Sequence, residues 1–210
     1  GVDLAADIDV GAGNITLSSL AAALDTVITN AVTIEGSLVV RARRDIIIGA
    51  ALATSTGDVT LLADYEPGDT TDGSGGVWIQ TAGSVTAAGN LTMRGSDVFA
   101  GGAAGHVQID SDGTTVQAAS GAASSVTIGP RATGAATGAD TNINGRISAG
   151  TGAIAIEANR DAVFGADGDV ISTGAVTVTA DTALAGTGAV TMADGALIDA
   201  DTATITIDAA

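Results

Sequence analysis

One short phrase recurs along the chain: a small residue, a variable one, then apolar–Thr–apolar. It reads Gly13-Asn14-Ile15-Thr16-Leu17, Gly57-Asp58-Val59-Thr60-Leu61, Gly89-Asn90-Leu91-Thr92-Met93, Gly174-Ala175-Val176-Thr177-Val178 and Gly188-Ala189-Val190-Thr191-Met192. Shorter copies are Val32-Thr33-Ile34, Val126-Thr127-Ile128 and Ile205-Thr206-Ile207, with looser ones at Val107-Gln108-Ile109 and Ile154-Ala155-Ile156. Period-two alternation puts both apolar side chains on one face and the threonine on the other. The leading glycine permits a tight corner where a strand begins. The first apolar residues fall at 15, 32, 59, 91, 107, 126, 154, 176, 190 and 205, so the repeat is irregular and carries insertions.

Strands of three to five residues cannot form the core of a sandwich, but they can stack on equivalents one repeat away. The expected fold is therefore all-β, a parallel β-helix (β-solenoid) of about ten irregular coils, with neighbouring strands ~4.8 Å apart. A sandwich is the competing arrangement, and hairpin turns of the Asn-Gly type would favour it. Only Asn144-Gly145 supplies one. Val59, Leu61, Leu91, Met93, Val126, Ile128, Val176, Val178, Val190 and Met192 are expected inside, and Thr60, Thr92, Thr127, Thr177 and Thr191 outside.

Three stretches interrupt the pattern. Leu17, Leu20, Leu24, Val27 and Ile28 fall at helical spacing, with Ser18 or Ser19 as N-cap, and predict one short helix. The polar stretches from Glu66 to Gly76 and from Gly129 to Asn142 each contain a proline and read as loops. The repeat resumes after each, so residues 1–210 form a single domain.

Composition narrows the function classes. There is no cysteine, hence no disulfide or thiolate metal site. The 7 basic residues are all arginine, against 24 acidic ones, and the net charge of −17 opposes nucleic-acid binding. No apolar run is long enough to cross a membrane. A 46% apolar content separates the chain from disordered sequences.

The succession Leu20-Ala21-Ala22-Ala23-Leu24, Val32-Thr33-Ile34, Arg44-Asp45-Ile46-Ile47-Ile48 and Gly57-Asp58-Val59-Thr60-Leu61-Leu62-Ala63-Asp64 resembles filamentous-haemagglutinin-type β-helical bacterial exoproteins. Asp72-Gly73-Ser74-Gly75-Gly76-Val77 and Gly89-Asn90-Leu91-Thr92-Met93 are similar to their repeats too. The resemblance implies a right-handed β-helix on the bacterial surface or outside the cell, in a large secreted adhesin. It carries over no catalytic residue. Implied partners are a host or neighbouring-cell surface, glycans or matrix.

No constellation argues for catalysis. His106 is the only histidine, and it is expected to point outward at a coil corner. The pairs Asp110/Asp112, Asp167/Asp169 and Asp199/Asp201 could serve glycoside hydrolysis, but each sits beside Gly or Ala in turn-like sequence. Asp110-Ser111-Asp112-Gly113 opens like a calcium loop without the later bidentate acid, so Ca²⁺ is an option rather than an expected cofactor. Glu66, Asp69 and Asp72 form a looser acidic cluster. The sequons at Asn14 and Asn90 occupy one repeat position, which points to strand-start chemistry. Arg41 and Arg43 alternate onto one face and are expected to pair with acids on adjacent coils. An ice-binding surface would need a regular Thr-x-Thr array, and the uneven steps disfavour it.

No catalytic, cofactor-binding or metal residue is therefore assigned. The chain starts and stops within repeat chemistry. It is expected to be a segment of a longer shaft, or else a subunit that stacks end to end on neighbouring β-helix segments.

Overall fold

A computed structural model describes residues 2–4, 8–10, 12–21, 24–65, 75–96, 106–110, 115–118, 124–130, 139–182, 186 and 188–209. These residues form three sheets of eight strands each. The first sheet runs from Val2–Leu4 to Val190–Met192, the second from Ile8–Val10 to Ile198–Asp199, and the third from Ile15–Ser19 to Ile205–Asp208. The chain visits them in rotation, and every strand pairs in parallel with the equivalent strand one circuit away. This all-β arrangement of stacked parallel sheets is consistent with a β-helix.

The predicted helix is not present among the described residues. Leu17 lies on Ile15–Ser19 and pairs with Val40, while Val27 and Ile28 lie on Thr26–Ile28 and pair with Ile47 and Ile48. Two strands separated by a corner reproduced a helical spacing by coincidence. The second loop prediction is trimmed at both ends, because Val126–Pro130 and Thr141–Ile143 are strands, while the first gives way to strand only at Val77, after its predicted end. The remainder of both stretches, residues 66–74 and 131–138, lies outside the described residues.

Stacking is in register throughout. Ile28, Ile48, Ile79, Ile109, Ile143 and Phe164 make one inward file, all but excluded from solvent. Leu38, Val59, Leu91, Val126, Ile154 and Val176 make another on the third sheet. Such columns bury the β-branched and leucine side chains that favour strands. Eight of the ten residues expected inside are buried, and the five threonines face outward. Val190 is half-buried and Met192 is 43% exposed. Met192 continues the file of Phe164, but no described strand covers its far side, and the same holds for Ile205 and Ile207.

The ten phrases are not ten equivalent positions. Val32 belongs to the second sheet, Val107 and Val190 to the first, and the other seven to the third. Leu38-Val39-Val40 fills an equivalent place without a threonine. Measured on the third sheet, circuits vary from 21 residues between Leu38 and Val59 to 35 between Leu91 and Val126. The extra residues fall between strands in the sequence, and among the described strands every connection of ten or more residues leads into a strand of the first sheet.

The leading glycines also have a different cause from the one expected. A Cβ on Gly57 would lie 2.5 Å from the Gly36 carbonyl carbon, and one on Gly174 would lie 2.5 Å from the Gly152 oxygen. Backbone of one circuit presses on backbone of the next, and no side chain fits between. Positive φ among the described glycines is confined to Gly75, Gly129, Gly186 and Gly195.

Candidate functional site

The polar side chains divide into those that join circuits and those that face out. At the corner entering the first sheet, an Arg-Asp pair appears twice. Arg44 grips Asp25 with two hydrogen bonds, Nε to Oδ1 at 2.5 Å and Nη2 to Oδ2. Asp45 N–H donates to Asp25, and Gly76 N–H donates to Asp45. Arg160 repeats the grip on Asp140 at 2.8 and 2.6 Å. Asp161 N–H donates to Asp140, and Ala189 N–H to Asp161. Bidentate charge-assisted bonds of this kind are the strong ones. Burial opposes charging Asp25, but the hydrogen bonds from Arg44 and the Asp45 N–H, with the guanidinium charge, hold its carboxyl below the ordinary value.

A second ladder climbs the corner entering the third sheet. Ser37 N–H donates to Asn14 Oδ1 (2.8 Å), Asp58 N–H to Ser37 Oγ (3.1 Å) and Asn90 N–H to Asp58 Oδ1 (2.7 Å). Ser125 N–H and Oγ both donate to Asn90 Oδ1. Asn14 and Asn90 thus share one structural task.

His106 is buried, contrary to the outward position expected. A carbonyl can only accept, so Nδ1 carries the proton and donates to the Ser96 oxygen. Nε2 accepts the Asn159 N–H at 3.3 Å. Desolvation lowers its pKa to about 4; Asp140 and the Ser96 contact pull it upward, and Arg94 pushes it down.

Of the arginines flagged for pairing, Arg41 stacks over the Tyr65 ring, 4.8 Å from its centroid, rather than on an acid. Arg94 crosses one strand to reach Glu157 Oε2 at 2.5 Å and the Pro130 carbonyl at 3.0 Å. Gly129 lies beneath this clasp, where a Cβ would meet the Glu157 side chain at 2.7 Å.

The outer face of the first sheet is different in kind. Between the exposed Asp3 and Thr191 at its two ends, the outward file runs Val27, Ile47, Trp78, Gln108, Asn142 and Val163, these six all half-buried. One residue on, Gln80, Asp110 and Asn144 occupy corresponding places, linked by backbone bonds from Asp110 N–H to the Ile79 oxygen and from Asn144 N–H to the Ile109 oxygen. Trp78 Nε1–H donates to Asp110 Oδ2, and Gln108 Nε2–H to Asp110 Oδ1, both at 2.8 Å. One carboxylate therefore holds an indole and an amide from two adjacent strands.

Sequence reasoning missed this group. The available signal was the chain's one tryptophan at the outward phase of Val77-Trp78-Ile79. Of the carboxylate pairs of the sequence analysis, Asp167/Asp169 and Asp199/Asp201 lie within the described residues. Asp169 meets Arg146 at 3.4 Å, and Asp199 caps the Asp201 N–H as in an Asx turn. Asp112, Glu66, Asp69 and Asp72 lie outside the described residues. Among the described residues, no group of three or more His, Asp or Glu could hold a metal ion, and no helix is long and apolar enough to cross a membrane.

Comparison with protein-family models, with curated proteins and with solved structures finds no match.

Proposed function

We propose that the chain is a non-enzymatic extracellular rod, a right-handed parallel β-helix whose coils follow the eight strands of each sheet. It serves as shaft or binding surface in a bacterial surface adhesin or cell-surface filament. The observation that carries this reading is the use of polar chemistry along the stack. Asp25, Arg44, Asp45, Asp140, Arg160 and Asp161 tie one circuit to the next at one corner. Asn14, Ser37, Asp58 and Asn90 do so at another. Side chains that would otherwise be candidates for catalysis are engaged in holding the rod together. The repeat's resemblance to secreted β-helical adhesins supplies the cellular context.

Beads coated with the protein test the reading on cell monolayers, alongside assays for new reducing ends in a polysaccharide panel. Retention on cells without cleavage is the expected result. Release of reducing ends from any polysaccharide overturns it.

A further inference from the structure

We infer that the outer face of the first sheet around Trp78 is a binding site for a neutral saccharide. This names a ligand class for the adhesive rod and rests on that reading.

Trp78 stands beside Ile47 on one side and Gln108 on the other, in strands ~4.8 Å apart. Its N–H is committed to Asp110, which fixes the ring against the sheet. Tryptophan and Ile47 thus form a short apolar strip, and a polar strip of Gln108, Asp110 and Asn142 borders it. A sugar ring has the same division, a C–H face and an edge of hydroxyls. Aromatic faces take the first, while amides and carboxylates take the second by donating and accepting together. From Trp78 to Asn142 the file spans two strand spacings, ~10 Å. That is room for more than one sugar unit along the stack.

Charge selects the class. The residues in register around Trp78 are Val27, Ile47, Gln108, Asn142 and Val163, with Asp3 and Thr191 at the ends of the file and Gln80, Asp110 and Asn144 one residue on. None of these is a cation; Arg44 and Arg160, at the corner entering this sheet, are each gripped by an acid, Asp25 and Asp140, the carboxylate of Asp110 sits in the middle, and the chain carries −17 overall. Uronate, sialyl or sulfated ligands are repelled here. The face is not a sheet edge either, so an added peptide strand finds no backbone ladder to extend.

Trp78 is the chain's only tryptophan, so its fluorescence reports on the site directly. The intact protein is titrated with hexasaccharides of β-1,4-glucose, β-1,4-mannose, β-1,4-N-acetylglucosamine and β-1,4-galactose, with polygalacturonate and heparin as the acidic arm. At least one neutral hexasaccharide is expected to shift the emission, with the acidic polymers inert. By calorimetry, Trp78→Ala is expected to weaken that binding at least tenfold. Asn142→Ala and Gln108→Ala, which leave the buried files untouched, weaken it about threefold or more. Binding that survives Trp78→Ala in a variant with unchanged circular dichroism overturns the site, as does loss in none of the three variants. Binding confined to the acidic polymers, or no binding at all, overturns the ligand class. In either case, retention of coated beads on cells leaves the adhesive rod standing. Cleavage of a hexasaccharide instead removes that reading itself.

Discussion

At neutral pH the His106 ring is uncharged, because its burial leaves room for one proton, on Nδ1, and gives Nε2 a backbone N–H to accept. The folded pKa of about 4 lies below the ordinary 6.5, so the unfolded chain takes up the second proton first. Stability is therefore complete above about pH 6.5, falls as the pH drops towards 4, and the lost contribution reaches about 3 kcal/mol. Melting curves across pH 7 to 4.5 should show this decline, and His106→Gln should flatten it. Asp25 acts lower, contributing stability above its unfolded value of 3.8 that is lost as the pH falls further. The twin grips make a second prediction. Arg160→Ala leaves the Asp140 carboxylate without its bidentate partner and should cost about 1–2 kcal/mol in urea unfolding, discounted for the exposure of Arg160. The Arg-Asp-apolar repetition at 44–46 and 160–162 was visible in the sequence. Its partners Asp25 and Asp140 were not, since only the stacking register says which earlier acid lies beneath.

At the scale of a strand and its corner, alternation was the legible part. It placed Val59, Leu61, Leu91, Met93, Val126, Ile128, Val176 and Val178 inside correctly, because each lies on a strand covered from both sides. Met192 failed because burial of an inward side chain also needs a neighbour above it. The helix failed because periodicity over a dozen residues cannot tell one helix from two strands and a corner. Trp78 was passed over because alternation treats every outward position alike. The glycines now allow a contrast. A Cβ on Gly152 would lie 1.2 Å from the Ser124 carbonyl oxygen, whereas one on Gly186 meets nothing within 4 Å and strains only its φ of +70°. Gly152→Ala should cost at least ~3 kcal/mol, as overpacking against backbone does, and Gly186→Ala ~1–2 kcal/mol. Chemical unfolding of the two variants compares them. Equal losses would refute circuit-to-circuit crowding at Gly152.

Across the whole molecule, the stacking of short parallel strands was legible in the sequence, and which sheet each phrase belongs to was not. Phrases from different sheets look alike, since inward-outward-inward alternation is the same chemistry on each. Insertions of unequal length hide the period in the sequence. They fall between strands that keep their register, so the paired strands follow one another in order whatever the length of chain between them. Thr60, Thr92 and Thr127 therefore stand directly above one another although 32 and 35 residues separate them. Thr177 is two strands further on, past Ala155. The same register weakens the objection that uneven steps raise to a regular threonine array. The neighbouring outward file, with Arg94 and Glu157 clasped across it, is not a threonine file.

Pulsed electron spin resonance between paired labels reads this register most directly, and the absence of native cysteine gives a clean background. With labels at Thr60→Cys and in turn at Thr92→Cys, Thr127→Cys and Thr177→Cys, the backbone separations should be one, two and four strand spacings. These are ~5, ~10 and ~19 Å, rising in step despite the unequal sequence gaps. Distances that instead follow the gaps in sequence, or that fail to increase from Thr92 to Thr177, would contradict the stacked parallel fold.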